Sequence, residues 1–80
     1  MTGKQQDEVI DLIMVKNPDL SRTEITEESR FFLDLDLDDL DHVEILMELE
    51  KHFGISIPDD AWFKTDTVGD IFKLLEKLVW

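Results

Sequence analysis

The chain contains no cysteine, so it can form neither a disulfide staple nor a thiolate metal site, which fits a reducing compartment. It also lacks a long apolar run. The richest stretch, Val9-Ile10-Asp11-Leu12-Ile13-Met14-Val15, is broken by Asp11 and is too short to cross a bilayer. No secretory signal is evident, so the expected location is cytoplasmic, without membrane insertion. Repeats, low-complexity tracts and dividing linkers are absent, and 80 residues suit one domain, 1–80, expected to be a monomer of modest stability.

Bases are scarce. Eight Lys and Arg face 20 Asp and Glu, a formal charge of −12. Nucleic acid is excluded as a partner because phosphate would be repelled. Basic protein surfaces are favoured, and long-range attraction should speed their encounter. Acidity kept only for solubility is the plainer alternative. Catalytic signatures are missing as well: there is no cysteine nucleophile, glycine-rich phosphate loop or serine–histidine arrangement, so the chain is not expected to be an enzyme. Asp34-x-Asp36-x-Asp38 invites a calcium-loop reading, but Asp39 stands where glycine is needed and Ile45 where a bidentate glutamate is needed. His42 and His52 show no zinc-ligand spacing. No metal site is expected.

What is present is helical patterning. The first segment runs from about Lys4 to Asn17, carries Val9, Ile10, Leu12 and Ile13 at helical spacing, and ends before Pro18. The second runs from about Asp39 to Phe53 and stops at Gly54, a common residue just past a helix end. The third runs from about Val68 to Val79, with Ile71, Leu74, Leu75 and Leu78 as its stripe. Its start, Thr67-Val-Gly-Asp70, resembles a capping box with aspartate for glutamate. A loop of roughly 18 to 38 separates the first two segments. Loops that long are usually functional, and its apolar residues Leu20, Ile25, Phe31, Phe32, Leu33 and Leu35 are expected to anchor it across the bundle. Pro58 to Phe63 should form one short helical turn anchored by Trp62 or Phe63; Trp62 and Trp80 are expected to be packing residues, with exposure the alternative for Trp80 at the chain end. Ile55-Ser56-Ile57 would have no partner as a strand. The expected class is all-α, three main helices plus a short one.

On a wheel of about 100° per residue, Ile45, Leu46, Leu49 and Phe53 share the core face of the second helix. Leu40, Val43 and Met47 form an adjoining apolar strip. An acidic ridge of Asp41, Glu44 and Glu48 runs beside it, with Glu50 on the other flank. Asp38, Asp39 and Asp41 sit near the helix N-terminus, where the dipole favours carboxylates, and Asp39 is expected to be the N-cap. Acids bordering an exposed apolar strip make a docking surface: charge steers and apolar contact holds. The plainer alternative puts Leu40, Val43 and Met47 in the core and leaves the acids as a solvated face.

Several motifs together resemble the acyl carrier protein family. They are Ile25-Thr26-Glu27-Glu28-Ser29-Arg30-Phe31, Asp34-Leu35-Asp36-Leu37-Asp38-Asp39-Leu40-Asp41-His42-Val43-Glu44 and Met47-Glu48-Leu49-Glu50. They continue through Phe53-Gly54-Ile55-Ser56-Ile57-Pro58-Asp59-Asp60 to Thr67-Val68-Gly69-Asp70, spanning essentially the whole chain. The resemblance implies a four-helix bundle carrying fatty acyl or polyketide intermediates on a 4'-phosphopantetheine arm. The arm is joined to the serine of an Asp-Ser-Leu motif, and here that motif reads Asp38-Asp39-Leu40. No arm is therefore expected on this chain as written, although one would be expected if Asp39 were serine. By the same resemblance, Leu40, Asp41, Val43, Glu44, Met47 and Glu50 correspond to the partner surface. The partners implied are basic faces of acyl-chain synthases, transferases or a phosphopantetheinyl transferase. Lys51 stands where the family usually has another acid, and Asp36-Leu37 replaces the common Gly-Ala. Two other readings stay open: a pseudo-carrier that regulates or scaffolds a complex, and a carrier altered to remain unmodified.

An excess of 12 negative charges repels itself in the compact state. Added salt or magnesium should therefore raise the melting temperature, and a flat or falling thermal midpoint across a salt series would contradict this.

Overall fold

The computed structural model describes residues 3–78. Among them are four α-helices, α1 (Gly3–Lys16), α2 (Asp39–Phe53), α3 (Asp59–Trp62) and α4 (Val68–Leu78), and a 3-10 turn at Arg22–Glu24. No strand forms among the described residues; a lone antiparallel bridge joins Arg30 and Thr67. The all-α bundle expected from the patterning is what the chain adopts. The end of the last helix at Val79 and the position of Trp80 lie outside the described residues.

The three longer helices turn their expected stripes to the core, with Ile10, Leu12, Leu74 and Leu78 only partly buried, while α3 buries no residue fully. Val9 and Ile13 of α1, Ile45, Leu46 and Leu49 of α2, and Ile71 and Leu75 of α4 are fully buried in one cluster. Phe72 of α4 joins them beyond the expected stripe, and Phe53 packs against the cluster while partly exposed. The 3.6-residue period puts apolar side chains on one face, and withdrawing that face from water drives the assembly.

The long connection has more order than a structureless loop. Ser21 and Glu24 bond reciprocally around the 3-10 turn, with the Ser21 N–H donating to Glu24 Oε1 at 3.2 Å. Ile25, Phe31, Leu35 and Leu37 are buried and Leu20 packs against the core, so most of the expected anchors anchor. Phe32 and Leu33 do not; they are 63 % and 69 % exposed. The N–H groups of Asp34 and Leu35 both donate to Arg30 O, at 2.9 and 3.0 Å. This turn places Phe31 and Leu35 inside and the three residues between them, Phe32, Leu33 and Asp34, outside.

Gly54 ends α2 in the left-handed region at φ 65°, its N–H donating to Glu50 O. At α4 the Thr67/Asp70 capping box forms: Thr67 Oγ1 accepts the Asp70 N–H at 3.1 Å and Asp70 Oδ2 accepts the Thr67 N–H at 3.0 Å. Trp62 anchors α3 by donating its indole N–H to Ile57 O at 3.0 Å, whereas Phe63 is 91 % exposed. Ile57 is buried without a strand partner, as expected.

Gly69 lies where the connection closely approaches the first turn of α4. A Cβ there would stand 3.0 Å from Glu27 O, the carbonyl that accepts the Gly69 N–H at 2.9 Å. That carbonyl cannot retreat without losing the bond that docks the loop onto α4. Gly69→Ala should therefore destabilise the protein by about 1 kcal/mol, or ~5 °C in thermal midpoint, despite alanine's better helix propensity. An unchanged or raised midpoint would show that the loop yields freely.

Candidate functional site

The site is built at the start of α2, where the connection delivers alternating residues. Leu35 and Leu37 point into the core, while Asp34, Asp36 and Asp38 face solvent. Asn17 donates its side-chain N–H to Leu35 O at 2.9 Å, and the Leu37 N–H donates to Phe31 O at 2.9 Å. Arg30 holds Asp34 through Nε at 3.0 Å and its backbone N–H at 2.8 Å, and this contact holds the Asp34 carboxyl below its ordinary range. Asp36 takes a positive φ of 54°. Aspartate is among the few side chains that tolerate this conformation, so the Gly-to-Asp departure at this position is conformationally permitted.

The cap is Asp38, not Asp39 as expected. Asp38 Oδ1 accepts the Asp41 N–H at 2.8 Å and Asp41 Oδ2 accepts the Asp38 N–H at 3.3 Å. The reciprocal box needs a carboxylate three residues after the cap; Asp38 has Asp41, whereas Asp39 has His42 at that spacing. Asp39 is thereby the exposed first residue of the helix, its side chain uncommitted to capping.

Beyond the first turn, rotation of α2 decides what faces out. Leu40 is 64 % and Met47 49 % exposed, and Val43 is half-buried between them. The strip is therefore not sealed in the core. The acids around it are not equivalent. Glu44 pairs with Lys16 of α1, and this hydrogen bond, outweighing desolvation, raises the Lys16 pKa. Glu50 turns away to accept the Ile57 N–H at 2.8 Å, tying the end of α2 to the loop that follows. Glu48 is exposed, with only a distant contact of 3.8 Å to Lys51.

Two exposed aromatic residues, Phe32 and Phe63, join Asp38, Asp39, His42 and Asp66 around a hollow of about 230 Å³ at this helix start. Pattern reading missed them because both were assigned as possible anchors. The only signal for Phe63 was its place just past the short helix, where the chain turns outward. At the base of the hollow, His42 packs on Phe31 with ring centroids 5.0 Å apart. Its Nε2 lies 2.8 Å from Thr65 Oγ1, and that hydroxyl donates to Trp62 O at 3.2 Å. With the hydroxyl proton so placed, His42 must donate from Nε2. Burial pushes the His42 pKa below its ordinary 6.5, although Asp39 and Asp66 pull it up.

A sequence profile of the family described as phosphopantetheine attachment site matches residues 8–75. The acyl carrier protein of Porphyromonas gingivalis is 45 % identical over 69 residues, covering 86 % of this chain and 87 % of that protein. The chain belongs to the acyl carrier protein family. Members of the family are carriers, and the family's prosthetic group is phosphopantetheine.

The residues present do not fit that group. A hydroxyl can form a stable phosphodiester with the arm, whereas the Asp39 carboxylate would give a labile mixed anhydride. None of the three serines substitutes for it. Ser29 is buried and its Oγ accepts the Thr26 N–H at 2.9 Å. Ser21 belongs to the 3-10 turn. Ser56 follows the opposite end of α2, about 22 Å along its axis.

The half-buried His42 favours its neutral form, so its contribution to stability is fully present above the unfolded pKa and is lost as pH falls through the depressed folded value. The margin in thermal midpoint of the parent over His42→Phe should shrink between about pH 7 and pH 5. A margin that is constant or grows over that range would rule out a half-buried neutral imidazole.

Proposed function

We propose that this chain is a non-catalytic, cytoplasmic docking module of the acyl carrier type. It engages basic faces of synthases and transferases of fatty acid or polyketide assembly through α2, and it carries no phosphopantetheine. The observation that supports this most directly is the exposure of Leu40 and Met47 on a helix whose first turn is acidic. Apolar side chains held in water on a rigid helix offer contact energy to a partner. Asp38, Asp41 and Glu48 at their edge supply the field that orients a basic surface.

Within the α2 set the residues divide by task. Leu40, Val43 and Met47 make the contact strip, and Glu48 and the helix-start aspartates steer. Glu44 contributes charge reduced by its pairing with Lys16, and Glu50 mainly holds the adjoining loop. Asp39 occupies the attachment position without the chemistry to use it.

The test is a binding-rate measurement with an acyl-carrier-dependent synthase, run beside a modification assay. Glu48→Lys should slow association several-fold at low ionic strength, an effect erased at high salt, while leaving folding unchanged. Leu40→Ser should weaken the equilibrium about tenfold, corresponding to ~1.4 kcal/mol. Incubated with coenzyme A and a phosphopantetheinyl transferase, the parent chain should keep its intact mass and Asp39→Ser should gain the arm. Association indifferent to both substitutions would place the docking surface elsewhere, and modification of the parent would overturn the argument from Asp39.

A further inference from the structure

The distribution of the few bases marks a second surface. Lys16 pairs with Glu44, Arg22 with Asp7 and Asp11, Arg30 with Asp34, and Lys51 more distantly with Glu48. Among the described residues Lys4, Lys64, Lys73 and Lys77 form no ion pair. Three of these four, Lys64, Lys73 and Lys77, line one groove of about 310 Å³ between α3 and α4, floored by Ala61, Leu74 and Leu78. In a chain with 20 acids, unpaired cations converging on one apolar groove are unexpected from charge balance alone.

The local arrangement leaves the groove positive. Lys73 and Lys77 are four residues apart on one helix, a spacing at which like charges repel; Lys64 approaches from the other wall. Asp70, also at the groove, has turned its carboxylate to the N–H groups of Asp66 and Thr67, at 2.9 and 3.0 Å. Desolvation would raise its pKa, but those bonds, with Thr67 and nearby Lys73, outweigh it and hold the carboxyl low. Asp60 is the other acid lining the groove.

We propose that this groove binds a single-chain anionic amphiphile, with its carboxylate or phosphate head at Lys64, Lys73 and Lys77 and its apolar tail along Ala61, Leu74 and Leu78. The volume is at the small end of ligand pockets and favours one slender chain over a docked helix, which would need a far larger contact area. Lysine suits such a head, since an ammonium on a flexible stem can follow either anion and its methylenes extend the apolar wall.

Amide chemical shifts of the labelled protein test this, with decanoate, decyl phosphate, decanol and inorganic phosphate titrated separately below any micelle-forming concentration. Saturable shifts at Ala61, Lys64, Leu74 and Leu78 with either amphiphile, at least tenfold weaker with decanol and with phosphate, support the assignment; the tighter of the two names the head group. The Lys64→Gln, Lys73→Gln, Lys77→Gln triple variant should weaken binding tenfold or more, single Lys73→Gln measurably, and Lys51→Gln not at all. The substituted lysines are exposed, and an unchanged amide spectrum of each free variant confirms its fold. Decanol or phosphate binding as tightly as the amphiphiles, unsaturable shifts, shifts centred on the start of α2, or unweakened binding by the single and triple variants would overturn it.

Discussion

The burial of Ile45, Leu46 and Leu49 between α2, α1 and α4 is the constraint on which the rest depends. Those three side chains are removed from water completely, and a helix cannot rotate about its axis without exposing them. With that face committed, Leu40 and Met47 have no core to enter and remain exposed. The proposed docking strip is thus a consequence of packing geometry: α2 carries more apolar residues than one buried face accommodates.

Charge is organised around the same frame. The four bases between Lys16 and Lys51 are each drawn to an acid, so the connection and the α1–α2 seam are partly neutralised. Such exposed pairs contribute little stability individually. Their effect is on the pattern of the field, because they leave the start of α2 negative and the α3–α4 groove positive on a molecule whose net charge is −12. A carrier that is acidic overall can therefore present two surfaces of opposite local sign.

The start of α2 combines features that serve the helix with one departure that limits chemistry. Asp38 and Asp41 satisfy first-turn donors, and the buried leucines of the connection hold the cap in place. Replacing a serine by Asp39 costs this scaffold nothing visible, because position 39 makes no cap bond. The proposed docking strip and the proposed loss of attachment are separable: one depends on the rotation of α2 and the other on a single hydroxyl.

Much of this was legible in the sequence because it is local. Helical period determined the stripes on α1, α2 and α4, and Gly54 and the Thr67/Asp70 pair marked ends that backbone hydrogen bonding requires. What local pattern could not determine was anything set by residues distant in the chain. Phe32 and Leu33 have the composition of core residues, yet the bonds to Arg30 O turn them outward. Asp39 has the chemistry of a cap, yet the spacing from Asp38 to Asp41 gives the role to its neighbour. Glu44 and Glu50 look like free acids until Lys16 and the Ile57 amide reach them, and Lys64, Lys73 and Lys77 become a cluster only when α3 packs beside α4. The sequence dictates which side chains can bond locally; tertiary packing decides which of them remain available, because availability depends on neighbours that only folding brings within reach.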